Sequence, residues 1–364
     1  MKKSVLIQAD NIDGLRYLLK EKGLRGKIDL VYIDPPFATG GNFTITNGRA
    51  STISNSRTGD IAYTDTLKGA DFIEFLRERL ILIRELLSDK GSIYLHIDYK
   101  IGHYVKVMMD EVFGIENFRN DITRVKCNPK NFERIGYGNI KDLILFYTKT
   151  SSPIWNEPRE KYTEKDLEKL FPKKDKNGRR YTTVPIHAPG ETTNGKSNLP
   201  FKGIMPPAGR HWRTDVEIME QWDKVGLIEW SENGNPRKII YADEREGKRV
   251  QDIWEYKDPQ YPDYPTEKNA DMLDLIIKTS SNENSIVLDC FCGSGTTLAS
   301  AQRNGRMWIG IDKSDLAINA TKNKLDTIKG DLFVQRAEYD YCNLLLYDKN
   351  IEHRKIDNKR LAKK

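Results

Sequence analysis

Cysteine is scarce in this chain, and the few present build no framework. Cys127, Cys290, Cys292 and Cys342 show no Cys-x-x-Cys pair and no Cys/His spacing of the kind that holds zinc, so neither a disulfide scaffold nor a bound metal is expected. A secretory leader and a long apolar stretch are both missing, which argues against export and a membrane span and makes a reducing cytoplasm the simplest setting. Also missing are the Gly-Lys-Ser/Thr of a Walker phosphate loop and any internal repeat. Charge of one sign is not in marked excess. Lys+Arg 59 against Asp+Glu 53 gives a net +6, a mild basicity that permits a nucleic-acid partner without requiring one. With 38% hydrophobic residues over 364 positions, there is apolar material for one large domain plus a smaller insert.

What is present is sharper. The apolar run Leu30-Val31-Tyr32-Ile33 ends in Asp34-Pro35-Pro36-Phe37. On its own this reads as a strand followed by a Pro-Pro turn. Its atoms also suit methylation of a planar exocyclic amine. Such a nitrogen shares its lone pair with the ring and is a poor nucleophile until acceptors hold both N–H groups and draw it toward tetrahedral geometry. Asp34 would supply a carboxylate and Pro35 a backbone carbonyl. The two prolines restrict the backbone, and Phe37 offers a flat face for an unpaired base.

A second element lies far along the chain. Ile286-Val287-Leu288-Asp289 reads as a short buried strand, Phe291-Cys292-Gly293-Ser294-Gly295 follows, and Thr296 to Gln302 can start a helix. Gly293 and Gly295 let the backbone come close to a ligand, and Trp308-Ile309-Gly310-Ile311-Asp312 reads as the next strand, ending in an acid placed to hold a ribose diol. The spacing indicates a nucleoside cofactor without saying which. A nicotinamide-dependent oxidoreductase would need a third glycine, and Ser294-Gly295-Thr296-Thr297-Leu298 lacks it at its place. A binding-only subunit with a retained but inactive fold is the other alternative.

Together these residues resemble the S-adenosylmethionine-dependent amino-methyltransferases of DNA, in which Phe-x-Gly-x-Gly holds the cofactor and Asp-Pro-Pro-Tyr/Phe/Trp marks the adenine-N6 type. The tetrapeptide precedes the glycine loop, as in the permuted beta class that includes the modification subunits of type III restriction systems. Ile7-Gln8-Ala9-Asp10-Asn11 resembles the strand end that contacts the cofactor adenine, Gly91 to Asp98 the strand after the catalytic one, and Thr266-Glu267-Lys268-Asn269 the family's Thr-Gln-Lys-Pro segment. The resemblance implies an α/β methyltransferase (Rossmann-like) fold, with a seven-stranded, mostly parallel sheet containing one reversed strand. It implies Asp34, Pro35, Pro36 and Phe37 at the chemistry, and Asp10, Thr266, Lys268, Asp289, Phe291, Gly293, Gly295 and Asp312 around S-adenosylmethionine. For Asp10, a helix cap is an equally good reading of the residue itself. The implied reaction is site-specific methyl transfer to N6 of a flipped adenine in double-stranded DNA, with N4-cytosine or RNA amino-methylation as the competitor of the same class. A restriction endonuclease partner and a homodimer are implied as options. Departures exist: Asn269 replaces proline, Phe37 replaces a frequent tyrosine, and Lys141-Asp142 stand where relatives often show His-Glu.

The organisation follows. Residues 1–150 alternate strand and helix signals and form the first part of a catalytic domain, with Asp71 and Glu74 a candidate capping box for a helix to Leu87 whose Phe72, Phe75, Leu76, Leu80, Ile83 and Leu87 share one apolar face. The polar stretch between Phe37 and Thr66 reads either as a segment that closes over base and cofactor or as an ordinary disordered loop. From 151 to 250 prolines interrupt the pattern, marking an insert in the place of the family's target-recognition region. Its Lys173, Lys174, Arg179, Arg180, Lys202, Arg210, Arg213, Arg237, Lys238, Lys248 and Arg249 either meet DNA or simply face water, and Trp212, Trp222 and Trp230 read as core. Residues 251–345 return to the catalytic domain as its cofactor-binding part, and 346–364 form a basic tail. At this length the chain is expected to be a complete methyltransferase without nuclease or helicase.

Overall fold

The computed structural model describes residues 3–36, 42–46, 49–53, 60–64, 69–129, 133, 135–190, 192, 195–259, 267–328 and 338–345. Phe37, Thr266 and the basic tail lie outside the described residues.

Among the described residues nine strands form the main sheet, in the order Ile253–Trp254, Phe118–Val125, Lys141–Thr148, Leu87–Ile97, Ile28–Ile33, Ile286–Asp289, Met307–Asp312, Ser4–Gln8 and Tyr339–Asn343. All run parallel except Lys141–Thr148, which is antiparallel to both its neighbours and is the one reversed strand. The count exceeds the expected seven because of edge strands. Ile253–Trp254 is two residues long, too short to carry a periodicity that could be read, yet it pairs with Thr123 and Arg124.

The sheet is assembled from both ends of the chain. Leu30 and Val31 lie opposite Val287 and Leu288, so the strand that leads to Asp34 and the strand that leads to the glycine loop are direct neighbours. Both are apolar and buried nearly throughout, as expected of parallel strands covered on both faces. One series of helices, Asn11–Lys20, Ala70–Leu86 and Gly102–Phe113, packs pairwise in chain order, and Ala270–Ser280, Thr296–Arg303 and Asp315–Thr327 form a second.

Helix Ala70–Leu86 buries Phe72, Leu76, Leu80 and Ile83, the expected face. Its capping box does not form. Gly69, at φ 53°, takes the N-cap, and Asp71 falls inside the first turn. The polar stretch before it contains a three-stranded antiparallel sheet in the order Arg49–Ile53, Asn42–Thr46, Asp60–Thr64.

Residues 159–250 form a second compact unit. It holds a four-stranded antiparallel sheet, Lys173–Lys174, Arg180–Pro185, Pro236–Tyr241 and Ile228–Trp230, and a small core of Ile186, Phe201, Trp212, Val216 and Met219. Trp212 is fully buried and Trp222 packs against this core, but Trp230 is 39% exposed and stacks on Phe201 from outside, so it is only partly core.

Candidate active site

Parallel neighbours end at the same edge of a sheet. Strand Ile28–Ile33 leads on to Leu87–Ile97 on one side, whereas Ile286–Asp289 leads on to Met307–Asp312 on the other. Between them the order of connection reverses, and such a switch point is where open α/β sheets bind ligands. Asp34 stands at its rim, at the end of one strand, and Asp289, Phe291, Gly293 and Gly295 stand at the end of the other.

Asp34 is mostly buried and its two oxygens differ. Oδ2 accepts from Lys268 Nζ at 2.7 Å. Oδ1 is buried and has no hydrogen-bond partner among the described residues. A carboxylate oxygen removed from water without a donor is costly, which makes Oδ1 a place for a ligand's N–H. Pro35 is buried and Pro36 half-buried, fixing the turn that follows.

The glycine loop is tied down by acids and hydroxyls. Phe291 N donates to Asp289 Oδ1 (3.0 Å), Gly293 N donates to Asp312 Oδ2 (3.0 Å), Ser314 N donates to Asp312 Oδ1 (2.9 Å), and Thr321 Oγ1 donates to the Gly293 carbonyl (2.9 Å). Gly295 has φ +76°, and a Cβ there would stand 2.7 Å from Thr321 Oγ1, so the position requires glycine. Burial pushes the Asp289 carboxyl up to about 7 against the hydrogen bonds from Thr297 and Phe291 N, and burial also raises Asp312. Both acids would be easier to ionise beside a ligand that donates to them.

Asp10 caps helix Asn11–Lys20, accepting from Ile12 N at 3.1 Å, and pairs with Arg79 Nη2 at 3.2 Å. Arg79 is buried, stacks its guanidinium 3.5 Å from the Phe75 ring centroid, and Phe75 in turn lies against Phe291 at 6.3 Å. On the other side, Lys324 Nζ reaches Glu267 and donates to Thr296 Oγ1 at 3.0 Å. Adjacent residues Glu267 and Lys268 thus tie the glycine-loop helix and Asp34 to one segment. Asn269, at the family's proline position, is an N-cap whose side chain accepts from Met272 N at 3.1 Å.

A buried polar row continues across the sheet from Asp34. His96 is fully buried, with Nδ1 2.9 Å from Tyr32 Oη and 4.0 Å from Asp34 Oδ1, and with Nε2 3.2 Å from Asp142 Oδ2. Asp142 Oδ1 accepts from Lys126 Nζ at 2.6 Å, and Arg124 Nη1 lies 3.7 Å from Oδ2. Burial would raise Asp142, but the hydrogen bond from His96 and the Lys126 ammonium hold it well below the ordinary carboxylate value.

The donor set fits a nucleoside cofactor: carboxylates for hydroxyls and amines, the Phe291 ring for a flat face, and a glycine turn between strand and helix. The family model described as DNA methylase, of the N6/N4 type, matches residues 28–323. The chain belongs to this family. S-adenosylmethionine is the family's cofactor. The type II methyltransferase M.EcaI of Enterobacter cloacae is 42% identical over 314 residues, covering 85% of this chain and 66% of that protein. The probable type III restriction-modification enzyme HindVI Mod subunit of Haemophilus influenzae is 23% identical over 410 residues, 91% of this chain and 52% of that one. A crystal structure of M1.HpyAVI with S-adenosylmethionine superposes at TM-score 0.47 with 16% identity, over 88% of this chain and 99% of the other. The chain spans between half and two thirds of the length of these two curated relatives.

Of the residues singled out from sequence, Asp34, Pro35 and Pro36 gather at the switch point with Lys268, Asp289, Phe291, Gly293, Gly295 and Asp312, and Asp10 stands at the end of the neighbouring Ser4–Gln8 strand. Arg79 and Lys324 carry no motif, Tyr32 and His96 read only as strand residues, and Asp142 reads only as part of a departure from the family's His-Glu. Arg79 had a visible signal. It falls on the apolar face between Leu76 and Leu80, where an unpaired charge would be expensive.

Proposed function

We propose that this chain transfers a methyl group from S-adenosylmethionine to N6 of an adenine flipped out of double-stranded DNA, in a restriction-modification or epigenetic role. The observation that carries this reading is Asp34: one oxygen is held by Lys268 and the other is buried and open, beside a glycine loop built for a nucleoside. The family membership and the type III Mod relatives support it. Adenine is favoured over cytosine N4 by aspartate at the first position of Asp-Pro-Pro-Phe and by those Mod relatives.

S-adenosylmethionine, when bound, supplies a methyl carbon on a sulfonium that is already a good leaving group. Asp10, Lys268, Asp289, Phe291, Gly293, Gly295 and Asp312 are the residues we assign to hold it, with Thr266 assigned from its motif. The rest falls to the chain. Asp34 Oδ1 accepts one amine N–H and the Pro35 carbonyl the other, so the lone pair is freed from the ring and aimed for in-line attack. Phe37 stacks the extruded base. Because Lys268 already engages the Asp34 charge, the carboxylate orients and polarises before it accepts any proton.

Residues 151–250, most of them in the compact unit 159–250, are the proposed target-recognition region, and a restriction endonuclease, a second copy of the chain and a cytoplasmic setting belong to the same reading. Among the described residues no helix is long and apolar enough to cross a membrane. The test is direct. Duplex DNA incubated with the chain and S-adenosylmethionine, digested to nucleosides and weighed, should yield N6-methyladenine; N4-methylcytosine would overturn the base assignment. Asp34→Ala should keep cofactor binding and lose transfer, and full activity in that variant would refute the site.

A further inference from the structure

We propose that His96 is a positioning residue that takes the substrate's surplus proton from Asp34, with Asp142 holding its ring for that task. This rests on the methyl-transfer reading above and adds to it the fate of the proton.

The geometry fixes the tautomer. Asp142 is an ionised carboxylate and can only accept, so His96 Nε2 donates to its Oδ2 at 3.2 Å. In the neutral ring Nδ1 is then the basic nitrogen, and the Tyr32 hydroxyl donates to it at 2.9 Å. That basic nitrogen is 4.0 Å from Asp34 Oδ1, the oxygen left open for the amine. The charged and titratable groups that face the ring fit the assignment. Tyr32 and Asp34 face it from the Ile28–Ile33 strand and its end, Asp142 from Lys141–Thr148, and Lys268 from the segment before helix Ala270–Ser280; Lys126 and Arg124 reach it through Asp142. Burial and the nearby Lys268 ammonium depress His96 below its ordinary value despite the two carboxylates, so the ring is neutral and able to accept at physiological pH.

The step balances. After methyl transfer the exocyclic nitrogen carries one proton more than the product. That N–H bond breaks with its electron pair staying on nitrogen, and an O–H bond forms at Asp34 Oδ1. A tilt of the side chain toward the ring, with Oδ2 kept on Lys268, closes the gap to His96. The O–H bond breaks with its pair returning to oxygen, and the Nδ1 lone pair forms a new N–H bond while the Tyr32 hydroxyl turns to accept from it. The imidazolium lies between the carboxylates of Asp34 and Asp142. Its proton leaves to solvent before the next turnover, and Asp34 is ready again beside Lys268.

Single-turnover methylation of a duplex oligonucleotide by the full chain, followed from pH 5 to pH 9, tests this. Wild type should lose rate toward acid pH, because a ring protonated beforehand cannot accept. His96→Gln should slow transfer by about tenfold to a hundredfold at pH 7.5. It should leave the Kd for S-adenosylmethionine within about twofold and abolish the acid limb, a readout that a merely structural histidine would not move. Asp142→Asn should shift that limb to lower pH by removing the anion that stabilises the imidazolium. A His96→Gln enzyme with the wild-type rate, or with the acid limb intact, would overturn the relay. Should that variant fail to fold, nitrogen-15 NMR of wild type decides: a neutral, Nε2-protonated His96 ring at pH 7 supports the proposal and an imidazolium there sinks it. A wild type that methylates no DNA would instead overturn the function proposed above.

Discussion

Lys268 Nζ lies 2.7 Å from Asp34 Oδ2, joining the segment ahead of helix Ala270–Ser280 to the end of strand Ile28–Ile33. The pair sets which carboxylate oxygen is free. Replacing Lys268 by methionine keeps the stem and removes the charge, so Asp34 can rotate and its open oxygen loses its aim. Misplacement of about an ångström at a reacting group costs roughly a hundredfold in rate. Lys268→Met should therefore cut single-turnover methyl transfer by about tenfold to a hundredfold with the fold intact, as followed by transfer of a tritiated methyl group. An unchanged rate would show that the ammonium does not position Asp34.

Asp289 gives a pH prediction with a defined sign. Its folded value, about 7, lies above the 3.8 of an ordinary aspartate. Between those values the folded chain keeps a proton that the unfolded chain releases, so the contribution of this group is full below the lower value and disappears as pH rises through the upper one. The melting temperature of wild type relative to Asp289→Asn should accordingly fall from pH 4 to pH 8. If a cofactor donates to the Asp289 carboxylate, binding near pH 6.5 should also release a proton. Calorimetry in buffers of different ionisation enthalpy reads this, and identical proton release in Asp289→Asn would rule Asp289 out as the source.

Local signals were legible and cross-strand ones were not. The Asp34-Pro35-Pro36 turn, the glycine loop and the buried face of helix Ala70–Leu86 each announce themselves within a few residues, because strand ends, positive φ and helical period are local properties. The adjacency of the Asp34 turn and the glycine loop is a property of the whole sheet, shown by the Leu30–Val287 and Val31–Leu288 pairing. The His96–Asp142 contact could not be read, since it depends on how Leu87–Ile97 registers against a reversed strand. The Asp71/Glu74 capping box failed for a local reason that composition hides: Gly69 takes the cap with a backbone open to it at φ 53°. Three strands within a Gly-, Asn- and Ser-rich stretch were equally hidden: Asn42-Phe43-Thr44-Ile45-Thr46 does alternate, but each strand is only five residues long and the turn-forming residues around them read as loop.

Gly295 is a steric prediction. At φ +76° an alanine is strained, and its Cβ would press on Thr321, whose hydroxyl holds the Gly293 carbonyl. Strain of this kind costs of order 1–3 kcal/mol, and relief requires the loop to move. Gly295→Ala should lower the melting temperature by a few degrees and weaken S-adenosylmethionine binding more than tenfold, whereas Gly305→Ala, also at positive φ but in open space, should affect stability alone. Equal cofactor affinity in the two variants would separate the loop from the binding site.

Within residues 159–250, the basic side chains divide by whether acids already neutralise them. Arg179 pairs with Asp243 and Glu244 at 2.8 and 3.0 Å, Lys248 with Asp166 at 3.1 Å, and Lys173 and Lys202 with Glu229 and Asp223. Arg210 and Arg213 are exposed and make no carboxylate ion pair among the described residues; Arg210 Nη1 lies 3.1 Å from His187 Nδ1 and Arg213 Nε donates to the His187 carbonyl at 3.1 Å. Burial and these guanidiniums, with Arg237, hold His187 below its ordinary value, so it accepts from Arg210 and adds no charge of its own. Two arginines braced on His187, one at its neutral ring and one at its backbone carbonyl, with their charge unspent, are the better candidates for phosphate contact. Each phosphate neutralised contributes roughly 0.9 to the slope of log K against log salt for duplex DNA. Arg210→Ala with Arg213→Ala should therefore weaken duplex binding and lower that slope by about two, while Arg179→Ala leaves the slope unchanged. The reverse pattern in a salt titration of duplex affinity would assign the DNA contact to the paired side chains and remove it from this cluster.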